Sequence, residues 1–448
     1  MKANIPVAAT LLFVLLSGAS LCKAQNSSES TLRVGAARVK LNPADLDGLT
    51  NLWGTPFKGV HDDIYVRALV LENGKTSAAI VAVDTVEIRD AMPIVALIAS
   101  ATGIPATNII VAATHDHNAP MVGLRNANGL QRAGPAGLAY VAHVEANVLE
   151  AVKAARAEAQ PALFGVGRGT VDININRDQH TPRGYVMGWN ASGPSDKTIW
   201  VLKFESPTGN PIAFLINYAV HGAVMGPEND QLTGDLPGAT ARFVEQHFGG
   251  KVVALWTSGA AGDQDPIVMS PYSGEPNLAR MTNNISEENA SNFKAVDVLG
   301  RIQGEEVVRV ADSIKTMTPN ANIWGAEKIV TCAGQKVLGG GTGAPISAGD
   351  IKTVDEAPVN LRLGVLILDK TALTSVSAEV VTKIYQVLRG RSPLTNTIMI
   401  TLANGRVGYI PDDRGYEVWT QEAIASPVKK GCGESTLVNG LVDLMNRY

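Results

Sequence analysis

The chain has 448 residues, of which 45% are hydrophobic and 18% are charged. This length and this hydrophobic content favour a large buried core and exclude a disordered chain. The 38 Lys and Arg residues nearly balance the 42 Asp and Glu residues, and the net charge of −4 gives no electrostatic basis for binding nucleic acid or a membrane surface.

The N-terminal segment has the pattern of a secretory signal peptide. An apolar run at positions 7–16 follows a basic residue and precedes small residues, and Cys22-Lys23-Ala24 has the small-x-small form of a cleavage site. We therefore expect residues 1–24 to be removed and the mature protein to be periplasmic or secreted. Lipoprotein anchoring through Cys22 is the alternative. The run is too short to span a bilayer comfortably, so we expect no stable membrane insertion.

Strand and helix patterns alternate through the first three hundred residues. The predicted strands there are Ala78–Val83, Ile109–Ala113, Ile212–Tyr218 and Val252–Trp256. The predicted helices are Met92–Ser100, Tyr140–Glu158 and Val296–Ile314. Two segments are predicted to be loops, namely the polar stretch Ser270–Asn292 and the glycine-rich stretch Leu338–Gly343. This alternation predicts an α/β fold with a mixed β-sheet core flanked by helices.

The pattern changes near residue 320, which marks a candidate sub-boundary within the mature chain. Strands dominate beyond it, at Ile323–Thr331, Leu361–Leu368, Leu373–Ala378 and Thr397–Leu402, and one helix is predicted at Glu379–Arg389. We expect residues 25–448 to form one catalytic domain all the same, because the candidate site residues come from both sides of this boundary.

Polar motifs directly follow three of the predicted strands. His115 and His117 follow Ile109–Ala113, His221 follows the next apolar run, and the Gly262-Asp263 turn follows the third. Because side chains alternate along a strand, His115 and His117 are expected to point the same way. Ligands gather beyond the carboxyl ends of strands in such sheets, so these motifs predict one shared site there.

Cysteine usage bears on both the compartment and the metal. Removal of the signal peptide leaves Cys332 and Cys432, and two cysteines in an exported protein predict one disulfide. Two buried free thiols are the alternative. These cysteines lack the grouped spacing of a zinc-thiolate site, so a catalytic zinc site would use nitrogen and oxygen ligands.

An ordered set of motifs resembles the neutral ceramidase family over roughly residues 33 to 420. The segment Ala113–Pro120 is similar to that family's Ala-Thr-His-Thr-His-Ser-Gly-Pro, and Ala260–Pro266 is similar to Asn-Ala-Gly-Asp-Val-Ser-Pro. The other matching segments are Asn176-Arg177, Val220-His221-Gly222, Ala378–Thr382 with Leu388-Arg389, and Asn404 with Tyr409 and Tyr416.

The resemblance implies an exported zinc-dependent hydrolase that cleaves the amide bond of a small-molecule or lipid-like N-acyl substrate. It implies Zn²⁺ ligands at His115, His221, Glu379 and Tyr409. It also places His117 and Arg177 beside the substrate carbonyl. The oligomeric state stays open.

Three departures from the family pattern predict a divergent substrate. Asp265 stands where the family has a serine nucleophile, so we expect it to orient or deprotonate a metal-activated water. The family's later Gln-x-Tyr-Glu motif is not recognisable, since Gln421 and the stretch Lys429–Glu434 stand there. The chain ends at Tyr448, which predicts no C-terminal immunoglobulin-like domain. An ester or lactone hydrolase on the same zinc site and an inactive ligand-binding homologue are the alternatives.

Overall fold

The computed structural model describes residues 31–122, 134–268, 285–338 and 351–448, together with Met1 and Gly349. Apart from Met1, the expected signal peptide lies outside the described residues. The glycine-rich stretch after Leu338 and positions 270–284 of the polar segment also lie outside them.

Strands and helices interleave along the chain, as the alternating pattern predicts. The strands are β1 Arg33–Lys40, β2 Gly59–Val60, β3 Tyr65–Glu72, β4 Ser77–Val83, β5 Ile109–Ala113, β6 Gln160–Pro161, β7 Leu163–Thr170, β8 Asn174–Thr181, β9 Gly184–Asn190, β10 Thr198–Glu205, β11 Pro211–Tyr218, β12 Gln231–Leu232, β13 Val253–Ser258, β14 Gln264–Pro266, β15 Ile323–Leu338, β16 Lys352–Leu368, β17 Thr371–Val376, β18 Glu379–Val380, β19 Asn396–Ile400 and β20 Tyr409–Ile410. The α-helices are α1 Met92–Thr102, α2 Pro135–Ala157, α3 Asp235–His247, α4 Ile285–Ser313, α5 Thr382–Arg391, α6 Asp413–Val418, α7 Gln421–Ala425 and α8 Gly433–Met445.

The larger sheets are mixed, which confirms the predicted fold class. Their strand orders are β5-β4-β3-β1-β6, β13-β11-β10-β7 and β15-β16-β17-β19. Each contains one parallel pair, β4 with β5, β11 with β13 and β17 with β19, and its other pairs are antiparallel.

Each of these sheets packs against other elements on both faces, although the distal part of the β15–β16 hairpin is exposed. Helices cover the outer faces, with α1 and α2 on the first sheet, α3 and α4 on the second, and α5 and α8 on the third. The inner faces share one apolar core, to which the sheets contribute Leu71, Leu202 and Leu366 respectively. Strand β7 and helix α4 lie so close together that a Cβ added at Gly167 of β7 would be 2.9 Å from Val310 of α4. Double-sided burial explains why these strands read as continuous apolar runs.

Smaller sheets lie beside the third sheet and the second. Strands β18 and β20 pair in parallel and bring Glu379 opposite Tyr409, and β14 pairs with β8, which also pairs with β9. Among the described residues, no helix combines the length and the apolar character needed to cross a membrane.

Several predicted bounds differ from the structure. The bounds of β5 match the prediction, but the predicted helix at Glu379–Arg389 is wrong at its start, because Glu379 and Val380 form β18 and the helix begins at Thr382. Strand β15 continues seven residues past the predicted Thr331 to Leu338. The polar segment predicted as a loop through Asn292 is helical from Ile285 onward.

The predicted disulfide is confirmed. Cys332 of β15 is bonded to Cys432, which immediately precedes α8, and their Cα atoms are 5.7 Å apart. The bond ties the C-terminal helix to the long hairpin that β15 and β16 form.

Candidate metal centre

The loops that follow β5 and β11 are joined by their backbones. The Gly222 amide donates to the His115 carbonyl at 3.2 Å, and the His117 amide donates to the Gly222 carbonyl at 2.9 Å. A Cβ at Gly222 would lie 2.8 Å from the His115 carbonyl oxygen, so only glycine fits this approach without a shift. The joined loops bring His115, His117 and His221 to one place beyond the strand ends.

His115 and His117 were predicted to point the same way because side chains alternate along a strand. The two rings do meet, but strand alternation is not the reason. Strand β5 ends at Ala113, and His115 has a φ of 65° in the left-handed region. Such a conformation costs a residue with a side chain about 1–2 kcal/mol. The turn nevertheless brings the two rings together, with 3.4 Å between their Nε2 atoms.

Backbone carbonyls fix the orientation of two histidine rings. Nδ1 of His115 lies 2.9 Å from the Val86 carbonyl oxygen, and Nδ1 of His221 lies 3.0 Å from the Gln264 carbonyl oxygen. A carbonyl can only accept a hydrogen bond, so each Nδ1 donates, and Nε2 is the ring nitrogen that faces the site. Carbonyl partners of this kind are typical of metal-binding histidines.

His117 completes the group of buried rings. Burial, together with the neighbouring His115 and His221, holds the pKa of His117 well below its usual value, so its ring is neutral at pH 7. Its Nδ1 is buried without a hydrogen-bond partner among the described residues. The three histidines offer ring nitrogens that all lie within 4.8 Å of one another.

Glu379 reaches the same group from β18. Its Oε2 lies 3.0 Å from Nε2 of His115 and 3.5 Å from Nε2 of His221. Burial raises the pKa of this carboxyl, but the Arg406 guanidinium, His115 and hydrogen bonding with the two rings together hold the pKa well below its usual value. Glu379 is therefore ionised, and in the described part of the chain only the histidine rings face its Oε2.

Nε2 of His115, Nε2 of His221 and Oε2 of Glu379 face one another at the centre of this group. They converge in a site where each residue is no more than 3% exposed. Buried acceptors that face one another are unfavourable unless a cation or protons lie between them. The donor set of nitrogen and oxygen therefore fits a divalent metal ion such as zinc.

Tyr409 is the cross-strand neighbour of Glu379. The guanidinium carbons of Arg177 and Arg406 lie 5.4 and 5.8 Å from the centre of its ring. Burial, and then the charge of Glu379, raises the pKa of the Tyr409 phenol, so the hydroxyl is protonated when no metal is bound.

Arg177 lies between two buried carboxylates. Its Nη1 donates to Oδ1 of Asp265 at 3.2 Å, and its Nε donates to Oε1 of Glu422 at 2.8 Å. The same Nη1 lies 3.3 Å from Nε2 of His221. Asp265 also approaches His221 directly, with 3.5 Å between its Oδ1 and the ring Nδ1. Arg177 and Asp265 therefore both contact the histidine group, as residues beside the site must.

Two charged residues at the site were missed from the sequence. Arg406 pairs with Glu379, and Glu422 pairs with Arg177 from helix α7. Neither residue is part of a recognised metal-ligand motif, and each forms its ion pair with a residue more than twenty positions away in the sequence. The sequence signal is only that they stand near Asn404 and Gln421, inside segments already singled out.

Comparisons with known proteins agree on a family. The model of the neutral/alkaline non-lysosomal ceramidase N-terminal region matches residues 53–316, more than half of the chain. Neutral ceramidase A of Dictyostelium discoideum is 23% identical over 184 residues, which are 37% of this chain and 24% of that protein. The match therefore spans about a quarter of the curated relative's length.

Solved structures show the same fold. The neutral ceramidase of Pseudomonas aeruginosa superposes with a TM-score of 0.74 at 16% identity, over 93% of this chain and 75% of that one. A ceramidase complexed with C2 gives a TM-score of 0.71 at 15% identity over the same shares. At these identities the likeness concerns the fold alone.

Proposed function

The chain belongs to the neutral/alkaline non-lysosomal ceramidase family, and we propose that it is an exported zinc-dependent hydrolase that cleaves the amide bond of an N-acyl substrate. The observation that carries this proposal is the convergence of ring nitrogens from His115 and His221 and a carboxylate oxygen from Glu379 in a buried site. These atoms would hold a cation. A hydrolase needs a cation at its centre far more than a binding protein does, because negative charge develops on the substrate during the reaction.

The residues present fit a bound zinc ion. His115, His221, Glu379 and Tyr409 would hold it, and all four supply the nitrogen or oxygen atoms that catalytic zinc uses. When bound, zinc would bring the pKa of a water molecule toward neutrality and polarise the substrate carbonyl. The Tyr409 phenol would have to lose its proton or bind as a neutral oxygen, since its pKa is raised in the metal-free protein.

The neighbouring side chains have separate roles in this proposal. Arg177 is a permanent cation whose guanidinium reaches the edge of the histidine group, so it would stabilise negative charge on the substrate carbonyl oxygen. His117 is neutral and buried, with one ring nitrogen unpaired among the described residues, so it would donate to or accept from substrate. Both residues would act without rearrangement, because partners already hold Arg177 and burial holds His117.

Asp265 would serve as the proton acceptor. Its carboxylate supplies no hydroxyl for an acyl-enzyme, so we propose a direct attack by water instead. Its Oδ1 already accepts from Arg177 at 3.2 Å, which orients the carboxylate toward His221. A carboxylate so held can take a proton from water and deliver it to the leaving amine.

The substrate is proposed to differ from ceramide in its recognised groups. Gln421, at the start of α7, donates to the Tyr185 carbonyl at 3.0 Å, so its amide is used to join α7 to strand β9. The family's Gln-x-Tyr-Glu motif is not recognisable in this segment, so the tyrosine with which that motif would contact substrate is missing.

We propose that residues 25–448 form one catalytic domain and that the protein is periplasmic or secreted. The Cys332–Cys432 disulfide supports an oxidising compartment.

The proposal is tested by metal analysis and a substrate panel. Purified protein should contain about one zinc per chain by mass spectrometry. It should hydrolyse at least one N-acyl amine, lose that activity with a chelator, and regain it with zinc. Matched ester and lactone substrates run beside the amides. His115→Ala serves as the control without metal. Faster turnover of the esters would change the substrate class, and zinc-independent hydrolysis would overturn the metal assignment.

A further inference from the structure

The two oxygens of Glu379 have opposite surroundings. Oε1 accepts from Arg406 twice, from Nε at 3.0 Å and from Nη2 at 2.5 Å. Among the described residues only histidine rings face Oε2, with Nε2 of His115 at 3.0 Å and Nε2 of His221 at 3.5 Å. Oε1 is therefore fully hydrogen-bonded to Arg406, whereas Oε2 is free to bind a metal ion held by the histidines.

Arg406 cannot easily leave Glu379. Its Nε also lies 2.9 Å from Oε2 of Glu87, which is 3% exposed. The Arg406 amide donates to the Arg89 carbonyl at 3.1 Å, and Nε of Arg89 donates to Oε1 of Glu87 at 2.7 Å. Moving the guanidinium away would break its buried ion pair with Glu379 and leave Glu87 paired with Arg89 alone, and breaking a buried pair typically costs about 3–5 kcal/mol.

We propose that Arg406 is a positioning residue that makes Glu379 a one-oxygen metal ligand. This inference rests on the proposed metal site. A carboxylate can bind a metal through one oxygen or both, and the second mode needs Oε1 to give up its donors. By holding Oε1, Arg406 keeps a coordination position free, which a catalytic site needs for water.

The proposal predicts a change of geometry when Arg406 is removed. In Arg406→Gln, the amide offers a weaker neutral donor, so Glu379 can turn and bind through both oxygens. The metal should stay bound, because the four ligands remain. The second Glu379 oxygen should then take the position that is open beside the four ligands in the wild type, so the coordination number should rise. The kcat should fall more than KM rises, because water can no longer enter that position.

Cobalt replaces zinc as the probe, because Co²⁺ absorbs visible light more strongly in four-coordinate sites than in sites of higher coordination number. The wild type, Arg406→Gln and Arg406→Lys are loaded with one equivalent of Co²⁺ and compared. Arg406→Gln should lose most of the visible band at unchanged cobalt content. Arg406→Lys keeps a cationic donor and should retain most of it. Arg89→Gln, which removes a guanidinium one step further out, is the matched control and should keep the band.

The outcomes separate this inference from the proposed function. Wild-type protein that binds no cobalt or zinc overturns both. Wild-type protein that binds cobalt, beside an Arg406→Gln variant with an unchanged spectrum, overturns only the role of Arg406.

A second measurement does not depend on the folding of a variant. In a crystal structure of the zinc-loaded wild type, one Glu379 oxygen should lie about 2.0–2.2 Å from the metal, with the other still paired to Arg406. Two equal metal–oxygen distances would refute the proposal.

Discussion

Breaking the Cys332–Cys432 disulfide should lower the free energy of unfolding by several kcal/mol. The bond joins positions with a sequence separation of 100. In the chain-entropy model, closing a loop of about 100 residues is worth about 4.7 kcal/mol at 25 °C, because the unfolded chain loses conformational freedom. Measured losses for native disulfides are about 2–5 kcal/mol, so we expect the double variant Cys332→Ser/Cys432→Ser to fall in that range.

Urea unfolding followed by tryptophan fluorescence measures this loss. Both proteins are first treated with chelator, so that metal binding does not add to the difference. The closed loop contains Glu379 and Tyr409, so the transition that reports on the third sheet should move to lower urea. Reduced wild-type protein is the matched control, and it should unfold near the double variant.

A difference below about 0.5 kcal/mol, the size of an ordinary surface substitution, would refute the reasoning. That result would mean that the unfolded chain already holds these two segments together. A denaturant slope that also stayed unchanged would point the same way, because the slope reports the surface exposed on unfolding.

Three further predictions concern the site. His115→Ala should lose zinc and activity together, and full zinc occupancy by mass spectrometry would contradict the ligand assignment. Asp265→Asn should keep zinc while kcat falls about 10²–10⁴-fold, the usual contribution of a general base; turnover at the wild-type rate would make Asp265 structural. Burial raises the pKa of Asp263 from 3.8 to about 7. The folded state therefore binds this proton more tightly than the unfolded state does, which stabilises the fold below about pH 4. That stabilisation, at most about 4 kcal/mol, is lost as the pH rises to about 7. As the pH rises, the urea midpoint of metal-free Asp263→Asn should therefore fall less steeply than that of the metal-free wild type. Equal pH dependence in the two proteins would contradict this prediction.

The sequence predicted the carboxyl ends of β4, β5 and β11 correctly, because burial on both faces makes these strands continuous apolar runs. Strand β5 reads as five consecutive apolar residues, and the structure gives it the predicted bounds. The motifs after β5, β11 and β13 lie together because the chain leaves those strands on one side of the molecule.

Other features depend on partners that are distant in sequence, and no local pattern carries them. Glu379 begins a segment with helical spacing, yet it pairs with Tyr409 thirty positions later and forms a strand. The left-handed backbone at His115 likewise follows from the joined loops rather than from its own neighbours. The contacts of Arg406 and Glu422 are charge pairs between loops, which spacing rules do not reach.

The order of the expected ligands along the chain has a consequence for synthesis. His115 and His221 come from the first half, whereas Glu379 and Tyr409 lie in the last fifth. A growing chain therefore exposes two imidazoles long before either oxygen ligand exists. Such a pair holds metal weakly and with little discrimination, because affinity among divalent ions then follows the ion rather than the geometry. Selection of the right metal must therefore wait until the C-terminal segment that carries Glu379 and Tyr409 has been made and has packed against the histidines.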